Sequence, residues 1–166
     1  YKLGYLFKRP ASLSGPTISD ELVLKHALIE IEKKVKVKFD IILSLPPTSP
    51  LRKTNDVIKS IKKLVDENYE AVWTISKTDK KYHPYKALII KKNKLDFFSK
   101  KGEKIKYRQQ LDNTYYRNGS VYVLTRNTLM NKKILTKNSG YVISNTKQIS
   151  IDSLEDLKKV REYLKK

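Results

Sequence analysis

Residues 39–52 read F-D-I-I-L-S-L-P-P-T-S-P-L-R, a nearly continuous apolar run that stops in a loop rich in proline and hydroxyl groups. A strand covered on both faces by crossover helices reads as such a run, so Ile41, Ile42, Leu43 and Leu45 predict an interior parallel strand. Pro46 and Pro47 end it, because proline offers no N–H to a ladder and fixes φ. In open α/β sheets, ligands lie outside the carboxyl ends of the strands, which sets Thr48, Ser49 and Arg52 at the mouth of a crevice. The plainer reading of the same loop is a polar connection whose prolines only shape a turn.

Outward from this stretch the pattern alternates between strand and helix. Upstream, Thr17 or Ser19 caps a helix that runs to about Lys34, with Leu24, Ala27, Leu28 and Ile31 on its inner face. Before it lies the loop K-R-P-A-S-L-S-G-P (8–16), and before that a helix end at Leu3-Gly4 and a short strand at 5–7 are expected. Downstream, Thr54 opens a second helix with Ile58, Ile61, Leu64 and Val65 at helical spacing, followed by the strand 71–75. Strand, helix and strand at this spacing form a βαβ unit. From Lys77 the pattern changes: segments 85–90 and 95–98 flank K-K-N-K as an antiparallel hairpin. A returning strand is expected at 120–125, a short helix at 128–130, a short strand at 141–144 and a terminal helix at 153–164 carrying Leu154, Leu157, Val160 and Leu164 on one stripe.

The chain has 166 residues, the size of about one domain, and contains no cysteine, which excludes disulfides and thiolate metal sites. No apolar stretch approaches the roughly 18 residues that span a bilayer, so a soluble, cytoplasmic protein without a membrane partner is expected. A formal charge of +19 raises nucleic acid as a partner. Arginine, which reads base edges and grips phosphate bidentately, supplies only six of the 36 basic residues, at 9, 52, 108, 117, 126 and 161. The lysines are spread in pairs along the whole chain, as a compositional bias of the source genome would also produce. Nucleic acid is therefore disfavoured, and an anionic small molecule is preferred as the partner of a few of these charges.

The string P-T-S-P-L-R (47–52) after an apolar strand resembles the Q-P-T-S-P-L-R signature of the acylneuraminate cytidylyltransferases, the CMP-sialic acid synthetase family. Further matches follow in order along nearly the whole chain. Arg9-Pro10 resembles the family's R-P, and Thr17 with His26-Ala27-Leu28 its following helix. His83-Pro84-Tyr85-Lys86 resembles H-P-x-K, and Arg108-Gln109-Gln110-Leu111 resembles R-Q-Q-L. Asn118-Gly119-Ser120-Val121-Tyr122 resembles N-G-A-I-Y, and Ile151-Asp152-Ser153-Leu154-Glu155-Asp156-Leu157 the end of I-D-I-D-T-x-x-D-L.

The resemblance implies a three-layer α/β/α, Rossmann-like nucleotidyltransferase with a mostly parallel sheet, one domain over 1–166, and an antiparallel excursion over 85–115 that supports a homodimer. It implies transfer of CMP from CTP to a sialic acid-like (nonulosonic) sugar acid with release of pyrophosphate, in a Mg²⁺-dependent reaction serving cell-surface glycan synthesis. It places Lys86, Arg108 and Asp152 in catalysis, Asp152 as metal ligand, Arg9 and Thr17 on the nucleotide, and Thr48, Ser49, Arg52, Gln109, Asn118 and Tyr122 on the sugar. Two positions depart from the pattern: Pro46 stands where the family has glutamine, and Ser150 where it has the first aspartate of I-D-I-D. Ser150 and Asp152, two apart on an extended segment, are expected to face the same side. Without the family, Asp152-x-x-Glu155 reads as a helix cap, Lys86 as a solvated strand lysine, and the tyrosines as packing. The alternatives to a transferase are a basic domain that binds nucleic acid non-specifically and an inactive relative. The family's glycine-rich triphosphate loop would precede Tyr1, so weak CTP binding and no turnover are expected of these 166 residues until a preceding segment is restored.

Overall fold

The computed structural model describes residues 7–131 and 133–165. The expected helix end at 3–4 lies outside these residues, as does all of the expected strand except Phe7, which sits in a bend. The chain runs α1 (Asp20–Val35), β1 (Ile41–Ser44), α2 (Thr54–Asp66), β2 (Ala71–Lys77), β3 (Leu88–Lys91), β4 (Lys94–Phe97), β5 (Tyr115–Thr125), α3 (Arg126–Met130), β6 (Ser139–Ile143) and α4 (Leu154–Leu164). Strands β1, β5, β2 and β6 form one sheet in that order, and β3 with β4 form a separate two-stranded hairpin. β5 is antiparallel to both β1 and β2, and β6 is parallel to β2. Three of the four strands thus share a direction, with β5 running against them.

The alternation of side chains along the strands builds a core on each face of this sheet. On one face Ala71, Trp73 and Leu124 pack with Leu28 of α1 and Leu129 of α3. On the other, Val72, Val121, Val123 and Val142 pack with Leu64 of α2. Helices on both faces make the three layers expected from the sequence. The position of the first strand differs from expectation. Among the described strands β1 pairs on one side only, with β5, and Leu43 and Leu45 are exposed. Among the described strands the interior positions belong to β5 and β2, and Val121, Val123 and Leu124 of β5 are fully buried. An apolar run reports covered faces, whereas an edge is set by hydrogen-bonding neighbours, which the run does not encode.

The hairpin turns at Lys92 and Asn93, both with positive φ (49° and 60°). That is the backbone of a two-residue turn matched to strand twist. Ser153 caps α4, its hydroxyl accepting from Asp156 N while the Asp156 carboxylate accepts from Ser153 N. The capping pair is therefore Ser153 with Asp156, one residue later than Asp152 with Glu155. The carboxylate of Asp152 takes no part in it.

A buried carboxylate ties the first helix to the sheet. Glu32, in the last turn of α1, accepts from Arg126 Nε at 2.9 Å and Nη2 at 3.1 Å, from Lys38 Nζ at 2.8 Å and from Phe39 N at 3.2 Å. The bond from Arg126, then that from Lys38, holds its pKa down at about 2 against an ordinary 4.5. A depressed carboxylate stabilises the fold above its unfolded pKa, and that contribution is lost as pH falls through the folded value. Stability should therefore decline from about pH 4.5 toward 2 through this group, and Glu32→Gln should lower stability at neutral pH while flattening the acid limb. Urea midpoints measured across pH 2–7 check this, and an unchanged limb contradicts it.

Candidate active site

The polar segment 118–121 is built by an irregularity in the central strand pair. Trp73 pairs with Tyr122, yet Ile75 pairs with Arg117, so Thr74 stands opposite four residues of β5. The Thr74 hydroxyl takes over from the interrupted ladder. It accepts from Val121 N at 2.8 Å and donates to Asn118 Oδ1 at 2.8 Å. Asn118 Oδ1 also accepts from Ser120 N, and Asn118 Nδ2 donates to Ser76 Oγ at 3.0 Å. The side chains of Thr74, Ser76 and Asn118 are buried, and each bond satisfies a group that would otherwise be costly inside the sheet. Gly119, at the crest of the bulge, has φ +70°. A Cβ there would stand 3.3 Å from Ser49 Oγ.

The bulge borders a cleft of about 600 Å³. Its lining comes from separate parts of the chain: Asp20 and Leu24 of α1, Ser44 at the end of β1 with Pro46 and Thr48 beyond it, Tyr116 to Gly119 and Tyr122 on β5, and Gln148, Ser150 and Asp152 before α4. The cleft thus opens at the carboxyl end of β1, where the topology of an open sheet favours a ligand. Thr48 O accepts from Ile151 N at 2.8 Å, which pins the 150–152 segment against the proline loop. Leu24, Leu124, Ile134 and Tyr122 supply an apolar floor. Tyr122 stacks edge-on against Trp73, with centroids 5.1 Å apart, and Trp73 Nε1 donates to Ile134 O at 2.7 Å.

Charge in the cleft is asymmetric. Arg117 is the one basic residue of its lining among the described residues, and its guanidinium lies 5.9 Å from the centre of the Trp73 ring. Asp20 and Asp152 are the acids. Burial raises the pKa of the Tyr122 phenol, with Asp20 adding to the rise and Arg117 and a Gly119 backbone bond opposing it. At neutral pH the phenol therefore keeps its proton as a donor. No hydrogen bond or ion pair engages the Asp152 carboxylate among the described residues. A carboxylate beside a hydroxyl, both facing an open cleft, suits a hard cation that keeps most of its waters. No group of three or more acidic or histidine side chains able to hold a metal occurs among the described residues.

Of the residues singled out in the sequence, Thr48, Asn118, Tyr122 and Asp152 line the cleft, and so does Ser150. Ser49 is buried behind it, at 2% exposure. Arg52 is half-buried, its donors held by Pro46 O and Ser120 O. Lys86 and Arg108 line a different hollow, about 290 Å³ between the hairpin and the turns around it, with Gln109 exposed on the same turn. Arg9 and Thr17 are exposed in the loop before α1, outside the cleft. Arg117, Asp20 and Gln148 also line the cleft without a sequence signal pointing to them, and Tyr116, which reads as packing in the sequence, lines it too. A strand that starts at residue 120 leaves out Arg117, although an Asn-Gly pair inside an otherwise alternating run is itself a bulge signal.

In fold the chain is similar to a CMP:2-keto-3-deoxy-manno-octonic acid synthetase solved in complex with CTP. The TM-score is 0.55 and the identity 15%, over 85% of this chain and 67% of that one. In sequence it is similar to the post-translational flagellin modification protein B of Campylobacter coli, 29% identical over 161 residues, which are 96% of this chain and 67% of that protein. No protein-family model matches the chain.

The bulge gives two stability tests. Thr74→Val removes the hydroxyl that Val121 N and Asn118 Oδ1 use and should cost about 1–3 kcal/mol, the penalty for a buried group left unpaired. Gly119→Ala should cost about 1–2 kcal/mol from left-handed backbone strain. Denaturant unfolding checks both, and a neutral result for either refutes the account of the bulge.

Proposed function

We propose that the protein is a cytidylyltransferase that transfers CMP from CTP to a nonulosonic, sialic acid-like sugar acid. The observation that carries this reading is the cleft at the β5 bulge, where Arg117, Tyr122, Thr48 and Asp152 converge from distant parts of the chain. The names borne by the two similar proteins, one a CMP-sugar acid synthetase complexed with CTP and the other a flagellin modification protein, support it. The product would then feed glycosylation of a surface protein or glycan.

In this reading the sugar's anomeric oxygen attacks the α-phosphorus of CTP. One P–O bond forms, the bond to the bridging oxygen of the β-phosphate breaks, pyrophosphate leaves and the hydroxyl proton goes to solvent. Such transfers need positioning and charge neutralisation more than covalent help from the protein. Arg117 offers a planar, charged fork to the sugar carboxylate. The Tyr122 phenol and Thr48 hydroxyl bond sugar oxygens. Asn118 holds the bulge that presents these groups, through its bonds to Thr74, Ser120 N and Ser76. Asp152, helped by Ser150, would hold Mg²⁺, whose charge offsets that of the phosphates. Arg9 and Thr17 are assigned to the nucleotide side.

Lys86 and Arg108 sit on the hairpin unit and not in the cleft, which favours a homodimer in which they reach the partner's cleft. The hairpin supports this with exposed apolar side chains, among them Ile90 at 76% and Leu95 at 72% exposure, together with Leu88 and Phe98. Exposed apolar clusters of this kind mark interaction surfaces.

Two sets of experiments on the full-length protein follow. With CTP and a sugar acid, Arg117→Ala should reduce pyrophosphate release by roughly ten- to a hundredfold, the worth of one charge-assisted hydrogen bond, while Lys133→Ala on the exposed surface should not. Asp152→Asn should abolish the Mg²⁺ response, and Ser150→Asp should lower the Mg²⁺ concentration required. Thermal stability of Asp152→Asn should stay at the wild-type value, since Ser153 and Asp156 cap α4. Equal effects of Arg117→Ala and Lys133→Ala would point to diffuse charge and against the cleft. For the dimer, Lys86→Ala and Asp152→Asn, each inactive alone, should regain part of the wild-type rate when mixed. Absence of complementation in a proven heterodimer contradicts the shared site.

A further inference from the structure

Arg52 lies between the two walls of the cleft. Its Nε donates to Ser120 O at 2.6 Å and its Nη2 to Pro46 O at 2.5 Å. Ser120 closes the Asn118–Gly119 bulge, and Pro46 lines the opposite wall at the end of β1. Pro46 O also accepts from Ser49 N at 3.2 Å, so the same carbonyl anchors both the loop's own turn and the guanidinium. No carboxylate pairs with Arg52 among the described residues, and burial lowers its pKa. A cation placed where burial disfavours its charge, with two carbonyls on separate segments as its acceptors, is explained by geometry. Only a planar fork with fixed N–H directions reaches both, and a lysine ammonium is a single point. A Cβ at Gly119 would stand 3.3 Å from the hydroxyl of Ser49, three residues before Arg52, so the glycine leaves room for the two walls to approach beside the clamp.

We propose that Arg52 is a positioning residue that joins the proline loop to the β5 bulge through Pro46 O and Ser120 O, and so sets the width of the cleft without touching the ligand. For the ligand this rests on the sugar-acid reading above; for the clamp it rests on the two bonds alone. Through Thr48 O and Ile151 N the restraint extends to the segment carrying Ser150 and Asp152. Loosening the clamp therefore loosens all three walls together, and every ligand group that the cleft holds is affected alike.

The test uses full-length Arg52→Lys, which keeps the charge but not the fork, and Arg52→Gln, which keeps a planar donor without charge. Backbone amide hydrogen exchange in the folded variants should quicken by about tenfold or more at Ser49 and Ile151, the loss of roughly one hydrogen bond's worth of protection. The core amides of Leu64 and Val72 should exchange as in the wild type. N-acetylneuraminic acid and its uncharged C1 amide serve as binding probes. In Arg52→Lys the dissociation constants of both should rise by the same factor, because the residue acts on the walls. A loss confined to the acid would make Arg52 a direct carboxylate ligand and overturn the proposal, as would unchanged exchange at Ser49 and Ile151. If the wild type binds neither probe, the sugar-acid reading falls, and the exchange pattern alone upholds or overturns the clamp.

Discussion

The Thr74 hydroxyl is the interaction on which the site depends. A strand pair that loses register must find partners for the groups it releases, because an unpaired amide inside a sheet costs a sizeable fraction of a domain's small net stability. Thr74 answers this with one side chain, accepting from Val121 N and donating to Asn118 Oδ1. With that satisfied, β5 carries four residues across the space of one, and Gly119 takes a backbone conformation that other residues resist. The excess chain becomes a wall. Binding surfaces are commonly made this way, by a bulge that re-aims side chains at the end of a rigid strand.

Around that wall the chain arranges its constraints by chemistry. Proline ends β1 and leaves carbonyls free, Arg52 gathers one of them together with Ser120 O, and Ile151 N takes the carbonyl of Thr48. Glu32 does for the α1 side what Thr74 does for the sheet, since its two oxygens collect Arg126, Lys38 and the Phe39 amide. Most of the remaining charge is exposed, and its ion pairs, such as Lys33 with Glu30 or Lys91 with Asp96, are surface contacts that contribute little. The excess of lysine is thus a property of the surface, and the cleft itself is lined by two acids and Arg117.

The layers, both long helices and the hairpin were legible in the sequence because each rests on local periodicity or on turn chemistry. The four-residue apolar run of β1 is legible as a strand, but its pairing with β5 alone among the described strands is not, since strand neighbours are chosen across the fold. Thr48, Tyr122 and Asp152 were legible through short motifs, and their convergence in one cleft is a property of the topology. Arg117 is hidden in the sequence because β5 starts at Tyr115, before the Asn118-Gly119 pair, and alternation alone marks only the part after that pair. The cap of α4 was displaced by one residue because Asp152 and Ser153 are both good caps, and only the backbone decides between them. Lys86 and Arg108 matched motifs, yet they lie on the hairpin unit, where a single chain does not bring them to the cleft.

The central claim is that a sugar acid seats against the β5 bulge. Titrating a sugar acid into the isotope-labelled protein and following backbone amide shifts tests it most directly. The account predicts shifts concentrated at Asn118 to Tyr122, Thr48 and Ser150 to Asp152. Shifts concentrated instead in the groove formed by Glu70, Asn127, Asn131 and Asn138, or no shifts at saturating concentrations, would contradict it.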